Sequence, residues 1–184
     1  MPILEAEVSI VPDNLLNGFA ALHPERIWRA LRTKSRQEKA VARALHSRDI
    51  PFFLPLLPKC RLVHGYKRPS LVPMFANYVF LFGTEEERVI ALKTDRVVDV
   101  LADLDARPLV EDLRKIHLLI NSGQPMTLES RLISGDNVRV MQGPLRGLEG
   151  VVLARRKKIK LLVAVNLLQQ GASVEVDDFM VKKI

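Results

Sequence analysis

Cysteine is nearly absent: Cys60 is the only one in 184 residues. That excludes an intrachain disulfide and a cysteine-built zinc site, and it suits a reducing compartment. Long apolar runs are missing as well. The best candidate, Leu71 to Phe82, is closer to a core strand than to a membrane span. The first 26 residues carry Glu5 and Asp13 and lack the basic start and unbroken apolar core of a secretory signal, so a cytoplasmic protein away from membranes is expected. No glycine loop of the Walker or dinucleotide type occurs. His23, His46, His64 and His117 are widely spread, without metal-ligand spacing to carboxylates or thiols. Cys60 with His64 is the one arrangement of nucleophile and base, where Lys59 and Arg61 would lower the thiol pKa. No orienting group or pocket accompanies it, so neither catalysis nor a cofactor nor a metal is expected.

What is present describes a globular chain. Hydrophobic residues make up 48% and charged residues 27%, with a mean hydropathy of +0.08, and there is no low-complexity tract. The length holds one ordinary domain or two small ones. Lysine and arginine outnumber the acids by 28 to 21. A net charge of +7 and a pI near 9.8 favour polyanionic partners without naming one.

Residues 1–26 mix Pro12, Asn14, Asn17, Gly18 and Pro24 with scattered apolar positions and read as an arm of weak local structure. Trp28 to Thr33 reads as a strand. Ser35 and Glu38 have the spacing of a capping box, opening a helix to about Ser47 with Val41, Ala44 and Leu45 on one face and Arg36, Lys39 and Arg43 on the other. Pro51, Pro55 and Pro58 restrict Ile50 to Leu57 to a short or edge strand, and Lys59 to Pro69 is a basic excursion. Phe75 to Phe82 is the strongest strand, which puts Phe75 opposite in parity to Tyr78 and Phe80. Thr84 caps a short helix with three glutamates in its first turn, followed by a strand at Val97 to Leu101 and a helix at Val110 to Ile120. This order predicts an α+β sandwich.

Asn121 to Ser134 breaks the helical pattern with Asn, Ser, Gly, Gln and Pro, and reads as an interdomain linker. Beyond it come five short β runs: Val138 to Met141, Gly150 to Leu153, Ile159 to Asn166, Val174 to Val176 and Met180 to Lys182. That spacing predicts a small five-stranded β-barrel. The expected division is an arm at 1–26, a first domain at 27–120, a linker at 121–134 and a second domain at 135–184.

Gly135 to Val152, reading GDNVRVMQGPLRGLEGVV, resembles a KOW motif. Gly143 and Gly147 are placed to bracket a tight connection at positive φ, and Gly150 to sit where one strand crosses close to another. Ahead of it, Trp28, then Lys34 to Glu38, then Pro73 to Phe80 resemble the amino-terminal domain of the NusG family in order and spacing, so the likeness runs from about Ile27 to Ile184. Asn77, the basic excursion and the final segment are nearer to the specialised RfaH-like paralogues.

The resemblance implies a monomeric transcription elongation or antitermination factor, built as an α+β sandwich on an antiparallel sheet followed by an SH3-like five-stranded barrel. Its first domain would bind the β′ clamp helices of RNA polymerase, with Phe75, Tyr78 and Phe80 at the positions of the family's contacting aromatics; the competing reading makes all three core. Lys34, Arg36, Lys39 and Arg43 match the region that meets non-template DNA in RfaH-like proteins, against the plainer reading of a solvated face. Lys59, Arg61, Lys67 and Arg68 belong to a family hairpin that would touch DNA or the β subunit, or only solvent. Where many relatives carry a glycine before the strand at Val97, this chain has Asp95 and Arg96. Leu167 and Leu168 fall where relatives meet ribosomal protein S10 or termination factor Rho, with core as the alternative for one of them. Arg155 to Lys158 is a solvated turn. RfaH-like relatives also refold this domain as a helical hairpin, and Ala154 to Leu162 holds good helix formers beside valines. The rival function is a ribosome-associated KOW-type RNA-binding protein, which would copurify with ribosomal subunits instead of with polymerase.

Overall fold

A computed structural model describes residues 7–63, 66–102, 106–129, 135–155, 158–177 and 180–184. The chain divides into two compact units, Met1–Ala106 and Arg107–Ile184. The first unit contains Ile10–Val11 (β1), Ile27–Thr33 (β2), Glu38–His46 (α1), Phe52–Phe53 (β3), Leu56–Val63 (β4), Tyr66–Pro73 (β5), Tyr78–Gly83 (β6), Glu85–Leu92 (α2) and Val97–Ala102 (β7). Five of these strands form one antiparallel sheet in the order β1-β3-β6-β2-β7, while β4 and β5 make a separate hairpin. The flanking prolines leave β3 only two residues long.

Alternation along β2 and β6 gives the sheet two apolar faces. Leu31, Phe52, Val79 and Leu81 form one buried cluster with Val41, Ala42 and Leu45 of α1 and Ala91 of α2. Each of the larger side chains among them contributes about 1.5–3 kcal/mol by leaving water. On the other face the register sets Trp28 opposite Phe82, Ala30 opposite Phe80 and Arg32 opposite Tyr78. The amino-terminal arm has more structure than its composition suggested. Its β1 pairs with β3, Leu15 and Leu16 are buried, and the Phe19 ring lies edge-on to Phe82 at 6.3 Å.

Two local expectations are corrected. Ser35 caps nothing: α1 begins at Glu38 after Gln37, without a side-chain cap. The Glu38 carboxylate instead accepts the Asn77 amide at 2.7 Å. Residues 74–77 are a turn, not the start of the strand, and Asn77 adopts φ 67. The turn resets parity and swings the Phe75 ring edge-on to Phe80, 6.1 Å between centroids. Thr84 caps α2 as expected, and the structure adds a full capping box there, with Thr84 and Glu87 exchanging both bonds.

The second unit holds Ala106–Asn121 (α3), Met126–Glu129 (β8), Asn137–Val140 (β9), Glu149–Arg155 (β10), Lys158–Val165 (β11), Gln170–Asp177 (β12) and Val181–Lys183 (β13). Its six strands form one antiparallel sheet in the order β13-β9-β10-β11-β12-β8. The five expected β runs correspond to β9 through β13. The sixth strand, β8, lies in the segment read as linker and pairs with β12 from Gly171 to Val174. The segment with helix formers, Ala154 to Leu162, lies in strands wherever it is described. Gly143 and Gly147 take φ 83 and 87 at the connection after β9. A Cβ on Gly150 would run into the Leu162 carbonyl oxygen of the neighbouring strand, the close crossing that the motif required.

Candidate nucleic-acid and protein interfaces

Lys39 and Arg43 are four residues apart on α1 and therefore share a face. Both cations meet Glu7 of the arm: Arg43 Nη1 donates to Glu7 Oε1 at 2.8 Å, and Lys39 Nζ lies 3.6 Å from the same oxygen. Lys34 pairs with Asp95 at 3.1 Å, and Arg36 is exposed at φ 60 just before the helix. Arg96 joins this surface by donating to Gln37 Oε1 at 3.1 Å. A shallow cleft of about 340 Å³ opens beside it, lined by Arg36, Glu38, Lys39, Ser70, Leu71, Val72, Pro73 and Ala76. Of the four cations singled out from the sequence, Lys39 and Arg43 share Glu7, Arg36 and Lys39 line one cleft, and Lys34 is tied to Asp95. Glu7 and Arg96 were not singled out, and Glu7 lies too far along the chain from α1 for any spacing rule to link them. Asp95 adopts φ 56, a left-handed conformation that aspartate tolerates better than most residues.

The aromatic trio is split by burial. Phe75 and Phe80 are 2% and 0% exposed, and Phe80 also stacks on Phe53 at 6.4 Å. Tyr78 is half-buried beside exposed Arg32. The indole N–H of Trp28, on the same face, has no hydrogen-bond partner although it is buried.

Arg29, on the opposite face, is buried and donates to the Gly83 carbonyl at 2.7 Å and to Glu85 at 3.2 Å. Burial pushes its guanidinium pKa down, and the Glu85 carboxylate pulls it back up. Arg26 grips Glu87 through two nitrogens, at 2.7 and 3.2 Å. These arginines are held by acceptors within the fold, whereas Lys34 and Arg43 keep about half of their side chains exposed, at 51% and 53%.

In the second unit, Asn166–Leu168 forms a 3-10 turn after β11. Leu168 is buried at 8% exposure, while Leu167 is half-buried. The Asp112 carboxylate of α3 holds the turn, accepting from the backbone and side-chain nitrogens of Asn166 at 3.0 Å each. Burial raises the Asp112 pKa, against the lowering effect of those two bonds. Glu149 sits between Arg139 at 2.5 Å and Lys115 at 3.7 Å, and the hydrogen bond from Arg139 lowers its carboxyl.

Among the described residues no group of three or more His, Cys, Asp or Glu side chains could hold a metal, and no helix is long and apolar enough to cross a membrane. His64 and the side chains of Cys60, Arg61, Lys67 and Arg68 lie outside the described residues, and so do those of Arg155 to Lys158.

An antiparallel sheet backed by two helices, followed by a second all-antiparallel sheet, defines a two-unit protein of mixed α/β class. The family model for "Transcription termination factor nusG" matches residues 26–135. The chain belongs to the NusG family, whose members are non-enzymatic transcription factors. No curated protein matches the chain. Among solved structures, one described as domain interaction in Thermotoga maritima NusG is 17% identical, covering 88% of this chain and 98% of that one at a TM-score of 0.46. A complex described as MjSpt4:Spt5, conformation B, is also 17% identical, covering 86% and 97% at a TM-score of 0.30. The family assignment rests on the sequence match.

Proposed function

We propose that this protein is an elongation or antitermination factor that grips the β′ clamp helices of RNA polymerase with its first unit. The second unit, read as a KOW domain, recruits the ribosome through protein S10, or termination factor Rho. The observation that carries the reading is the family match over residues 26–135, which takes in β2, β3, β6 and β7 of the aromatic-bearing sheet. Tyr78 offers the most accessible ring of the three, since Phe75 and Phe80 are buried edge-on to each other. Holding one polymerase conformation in preference to another is enough to suppress pausing, because a ligand shifts an equilibrium by its differential affinity. Lys34, Arg36, Lys39 and Arg43 would meet the non-template strand beside the clamp. In the second unit, the two left-handed glycines after β9 and the close crossing at Gly150 support the KOW reading. Leu167 is the more accessible of the two leucines that would meet a partner.

A pull-down with purified RNA polymerase, followed by a pausing assay, tests this. The full chain is expected to retain polymerase and shorten pauses, and Tyr78→Ala to weaken retention about fivefold or more, as truncated aromatic anchors do. Phe80→Ser is a poor probe, since emptying a fully buried ring site costs about 3–5 kcal/mol of stability. If polymerase does not bind the wild-type chain at low salt, the reading fails.

A further inference from the structure

Glu7 lies on the two cations of α1. Its Oε1 accepts from Arg43 at 2.8 Å and lies 3.6 Å from the Lys39 ammonium, so one anionic oxygen is shared by a guanidinium and an ammonium. The Glu7 side chain is only 19% exposed, against 53% for Arg43. The residues that follow hold it in position. The Leu54 amide donates to the Ser9 carbonyl at 2.6 Å, the Ser9 hydroxyl donates to the Leu54 carbonyl at 3.0 Å, and Val8 and Val11 pack against the core. A carboxylate and a phosphodiester oxygen make the same charge-assisted bonds to such a pair, and they cannot both occupy it.

We propose that the amino-terminal arm is an intramolecular competitor of nucleic acid, with Glu7 standing in for a backbone phosphate on the Lys39–Arg43 pair until a strand displaces it. This rests on the reading of α1 as the surface that meets single-stranded DNA. As a stabilising ion pair Glu7 contributes little, because solvent screens the exposed Arg43. Its larger effect is to subtract one charge from the anion-binding face.

The test is binding of a fluorescein-labelled single-stranded DNA oligonucleotide at low salt, by anisotropy, to the full-length wild type, Glu7→Gln, Lys39→Ala/Arg43→Ala, and the triple variant. Glu7→Gln is expected to bind about threefold to fivefold more tightly than wild type, the worth of one surface ion pair, with an unchanged melting temperature. That gain should vanish when Lys39 and Arg43 are absent. If Lys39→Ala/Arg43→Ala weakens binding but Glu7→Gln leaves it unchanged, the competition is overturned while α1 keeps its DNA role. If removing the two cations changes nothing, the DNA reading of α1 falls and the competition falls with it. A gain that persists in the triple variant also overturns the proposal, since Glu7 would then act through general charge alone.

Discussion

Glu38 and Asn77 show how much one residue can decide. Asn77 adopts φ 67, a conformation that asparagine tolerates and β-branched residues do not. Its amide is taken by the buried Glu38 carboxylate, and its carbonyl accepts from the Thr33 amide at 2.7 Å. Glu38→Ala removes the acceptor of a partly buried amide and is expected to cost about 1–3 kcal/mol in urea unfolding. Asn77→Gly should be close to neutral, whereas Asn77→Val should lose about 1–2 kcal/mol. Asp112 makes a prediction about pH. Burial raises its folded pKa above the ordinary 3.8, so its contribution is complete below that value and is lost as pH rises through the raised one. Asp112→Asn keeps an acceptor for Asn166 and cannot ionise. In melting curves taken from pH 4 to 7, the variant should therefore gain stability relative to wild type as pH increases. The lowered carboxyls of Glu129 and Glu149 act in the opposite sense but are common to both proteins.

At the scale of elements, two segments of the same spelling have different fates. Ser35-x-x-Glu38 and Thr84-x-x-Glu87 both match a capping box, yet only the second forms one. Thr84 accepts from the Glu87 amide at 3.3 Å, and its own amide donates to Glu87 at 2.8 Å. Glu38 is drawn away by the turn before β6, and α1 starts without a side-chain cap. Thr84→Ala should therefore destabilise the protein by about 1 kcal/mol, and Ser35→Ala, at an exposed site, by no more than a few tenths. Equilibrium unfolding of the pair measures the difference directly. Strand β8 has a similar lesson. Met126 to Glu129 sits among Asn, Ser, Gly and Pro, so local composition reads linker, but β12 presents an edge with which it pairs.

At the scale of the molecule, a net charge of +7 is unevenly used. Arg26 and Arg29 are spent on Glu87 and Glu85, while the cations around α1 remain near the surface. If α1 meets single-stranded DNA, affinity must fall with salt, by roughly 0.7 in log K per log salt for each phosphate contact. Lys39→Ala/Arg43→Ala should then reduce that slope by about 1.4, which a salt titration of oligonucleotide binding reads out. A change in affinity at unchanged slope would mean that the two cations act on folding and not on phosphates.

The sequence by itself determined most of the elements in their order, the left-handed glycines at 143 and 147 and the crowded one at 150, while β1 and β8 escaped it. It also determined the family, through motifs that are local. These are short-range matters, set by alternation, turn chemistry and the absence of a Cβ. Only the tertiary structure decided that Glu38 binds Asn77, that a turn brings Phe75 beside Phe80, that α3 is tied to the 166–168 turn, and that Glu7 lies on the cations of α1. Each joins residues from more than 30 to more than 50 positions apart, except the Phe75 turn. There the strand's parity was broken by a single left-handed residue, whose conformation depends on a carboxylate from another element.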